Sequence, residues 1–319
     1  MGARIAVLAL AVACLLLAQR ARAEDAPAPA AIAPPRLGGY LQARETWQEN
    51  VGLTSTLNRV RLSVEGALPN RFAYRVAVEL EAGGGARTAA TASLRDAYVR
   101  WTDAWLALEA GQFKTPFSRD YVTSLTTLET IDRPVVVDSL ATKRDIGVMA
   151  EASAGNVATL SAGVFNGEGQ NIPANRDSTV LWVGRGVVRP VSQVTLGASG
   201  AAYGSDSTHW GFEASVEQNG LIARGEWIAQ HRRNVPFDDE GWFVVGAGRV
   251  LPWAQAFAMQ EDLVRRHLGF GARVRATTVG ANLDLGSGRT QLTVEYVARR
   301  SGATQASRRA ALAQFQVKF

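Results

Sequence analysis

Arginines placed at alternate positions inside short apolar segments are the residues here best suited to chemistry. Arg59 and Arg61 flank Val60, and Arg75, Arg185, Arg224, Arg273 and Arg275 sit in comparable settings. A guanidinium is a planar fork that matches carboxylate and phosphate oxygens, and only three of the 34 basic residues are Lys. Glu65, Glu79, Glu81, Glu109, Glu151, Glu213, Glu217, Glu226 and Glu295 lie in the same kind of segment. Some arginines must therefore pair with acids on neighbouring strands, leaving local fields and a modest net charge. A second cationic set, Lys114, Arg119, Arg133, Lys143 and Arg144, lies in or beside the long connection from Thr115 to Lys143. The chemistry these residues offer is attraction of small anions.

Bond-breaking chemistry is poorly provided for. His209, His231 and His267 have no Ser two residues later, as a hydrolytic outer-membrane strand would need. Gly197-Ala198-Ser199-Gly200-Ala201 departs from a nucleophile elbow at its last position. Gly246-Ala247-Gly248 lacks the third glycine of a dinucleotide loop. Asn166 to Asn171 offers oxygens without the spacing of a calcium loop. No catalytic residue, cofactor or metal site is assigned.

The elements that carry these residues are extended. Period-two segments fall at 38–48, 57–67, 71–82, 93–101, 105–114, 144–154, 157–167, 178–188, 193–203, 209–218, 221–232, 241–250, 254–262, 268–284, 289–300 and 308–319. In the clearest, Phe72, Tyr74, Val76, Val78 and Leu80 share one face, with Arg75, Glu79 and Glu81 on the other. Ten residues at ~3.3 Å rise and ~45° tilt cross an apolar band ~25 Å tall. Connections alternate in length. Pro69-Asn70, Gly155-Asn156, Asn219-Gly220 and Pro252-Trp253 are tight, whereas Gly83–Ala92, Thr115–Lys143, Gly167–Asp177 and Arg233–Glu240 are long. A transmembrane barrel has this asymmetry between its periplasmic and outer sides, and a soluble sandwich has no reason to keep it. Trp47, Trp101, Trp105, Trp210, Trp242 and Trp253 lie at predicted strand ends, as interfacial girdles require. Segments 37–49 and 254–262 alternate weakly, so fourteen strands remain open beside sixteen. The phase of 268–284 flips near Thr277, which predicts a β-bulge there.

Both ends fit an exported barrel. Met1 to Ala23 has Arg4, an apolar run from Ile5 to Ala18 and Ala21-Arg22-Ala23 as a cleavage site, the anatomy of a signal peptide. Residues 24–36 read as an Ala/Pro-rich linker, and 37–319 as one barrel domain. Of the 34 basic residues, Arg4, Arg20 and Arg22 leave with the signal, so 31 stand against 29 acids. That near-balance, with no basic block, argues against a nucleic-acid partner. Cys14 falls in the signal, so the mature chain has no disulfide framework. The closing segment puts Ala311, Ala313, Phe315, Val317 and Phe319 on one face and ends on an aromatic, resembling the assembly signal of outer-membrane barrels.

In lipid, an outward arginine at mid-depth costs ~2–4 kcal/mol, so Arg59, Arg61, Arg75, Arg185, Arg224, Arg273 and Arg275 are expected to line the lumen. Val135, Val136 and Val137 would resist exposure to water, so the loop that carries them is expected to fold inward as a constriction. Packing among outer loops is the alternative.

Three motifs carry a resemblance: Gly111-Gln112-Phe113-Lys114-Thr115-Pro116-Phe117, Arg144-Asp145-Ile146-Gly147-Val148 and Gly163-Val164-Phe165-Asn166-Gly167. In order and spacing they resemble the phosphate-selective porin O/P family, with similarity from about Gly38 to Phe319. The resemblance implies an all-β transmembrane antiparallel barrel of sixteen strands, trimeric, with an inward-folded loop and an arginine-rich anion pathway. Lys114 and Arg144-Asp145 carry over with their motifs. The expected function is an outer-membrane porin of a Gram-negative bacterium, passing small solutes with a modest anion preference, phosphate among them. Its partners would be outer-membrane lipid and the barrel-assembly machinery. A non-conducting adhesin or scaffold barrel is the alternative, and a hydrolase is less favoured.

Overall fold

Alternating strands leave their end strands unpaired unless the sheet closes on itself. The computed structural model, which describes residues 34–81, 91–236, 238–266, 272–286, 288–302 and 306–319, is closed in this way. Its strands are β1 (Arg36–Gln48), β2 (Gly52–Leu68), β3 (Phe72–Glu81), β4 (Thr91–Thr102), β5 (Leu106–Lys114), β6 (Arg144–Ala154), β7 (Ala158–Phe165) and β8 (Leu181–Val191). They continue as β9 (Val194–Tyr203), β10 (Ser207–Gln218), β11 (Leu221–Arg232), β12 (Asp239–Leu251), β13 (Ala254–Arg265), β14 (Ala272–Gly286), β15 (Thr290–Ser301) and β16 (Ala306–Lys318). Every strand pairs antiparallel with its sequence neighbours, and β1 pairs with β16 to close a sixteen-stranded barrel. The predicted signal peptide, the linker through Ala33 and most of the loop Gly83–Ala92 lie outside the described residues.

Local sequence explains the turns. Asn219 and Gly220 both have positive φ, at 52° and 79°, which suits the twist of a two-residue hairpin between β10 and β11. The seam is closed by backbone: the Gly39 N–H donates to the Phe319 carbonyl at 3.0 Å, and the Phe319 N–H donates to that of Gly39 at 3.1 Å. A Cβ on Gly39 would meet the Arg61 carbonyl oxygen at 2.3 Å and the Phe319 ring at 2.9 Å, so this approach requires glycine.

The outward rows are apolar and exposed, including Val76, Leu160, Trp182, Phe212, Val244 and Phe315. Phe212 and Trp227 stack across strands with ring centroids 5.9 Å apart. The inward rows are mostly polar, with one exception. Ile228, Phe243, Val245, Met259 and Leu263 form an apolar patch on the inner wall of β11–β13. This is why 254–262 alternates weakly: Phe257, Met259 and Leu263 face inward, opposite small outward Ala256 and Ala258.

Two expectations are corrected. Strand β14 keeps a continuous register with β13 from Arg265↔Ala272 to Ala254↔Leu283, so there is no bulge at Thr277. The outward row instead changes from apolar Leu283, Ala281 and Val279 to charged Arg275 and Arg273 as it leaves the apolar band. Those two arginines face outward and pair with Asp262 rather than lining the lumen. The described bulges lie elsewhere, one of them between β1 and β2, where Asn58 is the extra residue and both it and Arg59 face inward.

Candidate functional site

The loop between β5 and β6 holds two short helices, α1 (Arg119–Val122) and α2 (Val135–Leu140), and crosses the lumen. Its root is tied by Thr115 and Thr142, whose hydroxyls lie 2.7 Å apart. Gly111, with φ +132°, brings β5 so close to β4 that a Cβ would lie 2.2 Å from the Ala97 carbonyl. Phe113 packs edge-on against Phe165 and Tyr98, and Asp145 accepts from the Ile146 and Gly167 N–H groups at 2.7 Å each. The three sequence motifs therefore build the platform from which the loop departs.

Burial drives the loop inward. Val136 and Val137 are fully buried, and with Leu140 they join the apolar patch of β11–β13. Burying such side chains contributes ~1.5–3 kcal/mol each. Polar anchors fix the register. Wall carboxylates accept loop backbone N–H groups: Arg119 to Glu213 at 2.8 Å, Asp120 to Glu226 at 2.6 Å, Ile131 to Glu295 at 3.1 Å, and Val135 to Glu261. His209 Nδ1 lies 2.7 Å from the Leu140 carbonyl, and Asn282 donates to that of Glu129 at 2.9 Å. Most of a loop's polar backbone would be costly to bury unpaired; here the wall satisfies much of it.

The sequence-predicted cations fall into distinct groups. Four of them gather around Tyr121. Lys114 Nζ donates to the Val122 and Thr123 carbonyls at 2.9 Å each, and Arg133 donates to those of Asp120, Tyr121 and Thr123. Lys114, Arg133 and Lys143 lie 5.2–5.8 Å from the centroid of the Tyr121 ring, whose hydroxyl accepts the Arg144 N–H at 2.7 Å. Burial lowers the Arg133 pKa and raises that of Tyr121. Arg144 itself pairs with Asp96 at 2.8 Å. These side chains hold the loop's inner turn together, a role the sequence reading did not foresee.

The remaining predicted residues are spread around the wall. Arg224, 1% exposed, bridges Asp120 and Glu129 of the loop. Burial raises the Asp120 pKa against the pull of Arg224. Arg59 and Arg44 share Asp132, at 3.3 and 2.8 Å; burial would raise that carboxyl's pKa, but the two guanidiniums hold it below its ordinary value. Arg61 pairs with Glu79, Arg75 with Glu65 and Asp96, and Arg119 with Asp120 and Glu217. Phe319 lies at the seam, far from the loop's inner turn in sequence and joined to Gly39.

Because the loop leans on β10–β16 and β1, open space remains towards β2–β9. One cavity of about 390 Å³ is lined by Arg61, Arg75, Arg100, Lys114, Arg144 and Arg185 with Asp96, Glu109 and Glu151, while Glu79, Glu65 and Glu213 behind the lining pair with Arg61, Arg75 and Arg185. A second of about 480 Å³ adjoins it at Val122 and Arg185 and is lined by Arg119, Arg185 and Arg189 against Glu217. Sequence reasoning missed the division of labour among the wall acids. Its signal was present, since Glu213, Glu226, Glu261 and Glu295 all fall on inward positions facing the side to which the loop's valines are drawn.

A closed sixteen-stranded barrel with a loop folded across a charged lumen defines a porin. This chain belongs to the phosphate-selective porin O and P family, whose profile matches residues 43–223. No curated protein matches the sequence significantly. Among solved structures it is similar to the anion-selective porin from Comamonas acidovorans, with 11% identity, TM-score 0.66, and coverage of 90% of this chain and 99% of that one. It is also similar to the outer-membrane channel DcaP of Acinetobacter baumannii, with 13% identity, TM-score 0.66, and coverage of 89% and 97%. OmpT of Vibrio cholerae gives 11% identity, TM-score 0.64, and coverage of 89% and 97%. At these identities the likeness is one of fold. Family and lipid-facing band together support a channel in the outer membrane.

Proposed function

We propose that the protein is a passive diffusion porin of a Gram-negative outer membrane with a modest preference for small anions, inorganic phosphate among them. The observation that carries this reading is the row of guanidinium groups that faces the space left beside the loop, with Arg189 among them in no described ion pair. Fixed positive charge in a narrow aqueous passage raises local anion concentration and repels cations. Most of these arginines also touch a carboxylate, so the field is partial and the preference graded. Arg119 and Arg189 extend the row along the second cavity, whereas Lys114 and Arg133 are engaged by loop carbonyls. Export by residues 1–23, insertion by the barrel-assembly machinery with Phe319 as its signal, and assembly as a homotrimer complete the proposal. A trimer form is described for the similar OmpT of Vibrio cholerae.

Planar-bilayer recording tests it. Purified protein should give stable ohmic channels, and the reversal potential across a salt gradient should favour chloride over potassium. Arg75→Glu with Arg189→Glu should move that potential towards cations. A folded, heat-modifiable barrel with no conductance would favour the scaffold alternative, and wild-type cation preference would refute the anion assignment.

A further inference from the structure

The outward arginines of β14 and β15 have no part in the lumen. Arg275 and Arg300 stand directly opposite each other across the β14–β15 pair, and Asp262 of β13 stands opposite Arg275 on its other side. Asp262 accepts from Arg273 at 2.8 Å and from Arg275 at 3.0 Å, yet these side chains remain 39% and 48% exposed. Arg300 and, on β16, Arg309 are exposed, and among the described residues neither has an ion-pair partner. Glu49, whose N–H donates to the Arg309 carbonyl at 2.9 Å, is a further acid nearby. Four guanidiniums thus share one outer face, and Asp262 pairs with two of them, Arg273 and Arg275. Directly opposed like charges destabilise a strand pair unless an anion lies between them.

Their height identifies the anion. On the same outward rows, four residues towards the tight-turn end, lie Val279 and Tyr296, which are exposed and belong to the lipid-facing band. Four residues of tilted strand rise roughly 9–13 Å, which brings the arginines to headgroup level. The two chain termini lie at the opposite, tight-turn end, so on the porin orientation this rim belongs to the outer leaflet. That leaflet is built from a phosphorylated glycolipid, and a guanidinium fork suits its phosphates.

We propose that Arg273, Arg275, Arg300 and Arg309 form a docking surface for the phosphates of the outer-leaflet glycolipid. The test uses full-length protein refolded in detergent, mixed with bisphosphorylated lipid A or with its dephosphorylated form, and weighed by native mass spectrometry. Wild type should retain lipid A, and both dephosphorylation and Arg275→Glu with Arg300→Glu should reduce retention about tenfold. Equal retention of the two lipids by wild type, or of lipid A by wild type and variant, would overturn the inference. So would a variant that keeps its lipid but loses its oligomer, because the patch would then be a contact between protomers. If the double variant does not refold, Arg300→Gln and the dephosphorylated lipid decide the matter. Bilayer conductance of the same samples is read separately, so failure of the porin reading is distinguishable from failure of this one.

Discussion

Arg224 shows what a single side chain does in this lumen. It is almost wholly buried and contacts two carboxylates of the loop, Asp120 and Glu129. Removing one member of a buried ionic group leaves the others desolvated and unpaired, at a cost of about 3–5 kcal/mol. Arg224→Ala should therefore lower the urea midpoint of unfolding and release α1 from the wall, while Arg224→Lys should recover part of the stability. An unchanged midpoint in Arg224→Ala would mean that water compensates the two acids. From sequence, Arg224 was legible as an inward arginine, because strand parity fixes its face. Its partners were not, since Asp120 and Glu129 lie about a hundred positions earlier in a loop whose path parity does not determine. Lys114 and Arg133 illustrate the same limit: their charge was visible, but not that backbone carbonyls would engage it.

Among the elements, the strands were legible and the loop only in part. Sixteen segments, alternating connections and the closing strand all followed from periodicity, because lipid outside and water inside impose a strict period of two. The pattern faltered where that contrast fails. Segment 254–262 has apolar residues on both faces because α2 takes the place of water inside, and 268–284 shifted phase because β14 rises out of the apolar band. The inward fold of the loop followed from its valines; its anchoring by Glu213, Glu226, Glu261 and Glu295 did not. Hydrogen bonds to charged groups are worth about 1.5–3 kcal/mol. Glu261→Ala with Glu295→Ala should thus raise single-channel noise and mean conductance as the second half of the loop swings free. Quiet, unaltered channels would show that apolar packing of α2 suffices. At the seam, Phe319→Asp is expected to block insertion while secretion continues, read as periplasmic protein missing from the outer membrane. Normal outer-membrane yield would reduce Phe319 to a packing residue.

At the scale of the molecule, the lumen divides into two territories. Carboxylates of β10, β11, β13 and β15 grip the loop, and arginines of β2, β3, β4, β6 and β8 face the remaining space. Counted over residues 24–319, the near-balance of 31 basic and 29 acidic residues hides this separation, because Glu226, Glu261 and Glu295 are spent on the loop; of the four, Glu213 also pairs with an arginine of the open space, Arg185. The proposed anion preference would then rest on a residual field that salt can screen. The screening length is about 10 Å at 0.1 M and about 3 Å at 1 M. Anion preference, measured as reversal potential at fixed gradient, should consequently weaken as mean salt rises through that range. A preference that holds constant would indicate a dehydrated binding site rather than a diffuse field.

The anchoring of the loop has a consequence for how such a channel can change over generations. The wall carboxylates hold the main-chain N–H groups of Arg119, Asp120, Ile131 and Val135, which every amino acid except proline supplies. At Arg119 and Val135 the side chain can therefore drift without releasing the grip, whereas the four glutamates cannot. Diet can be rewritten on the loop while its mooring stays inherited.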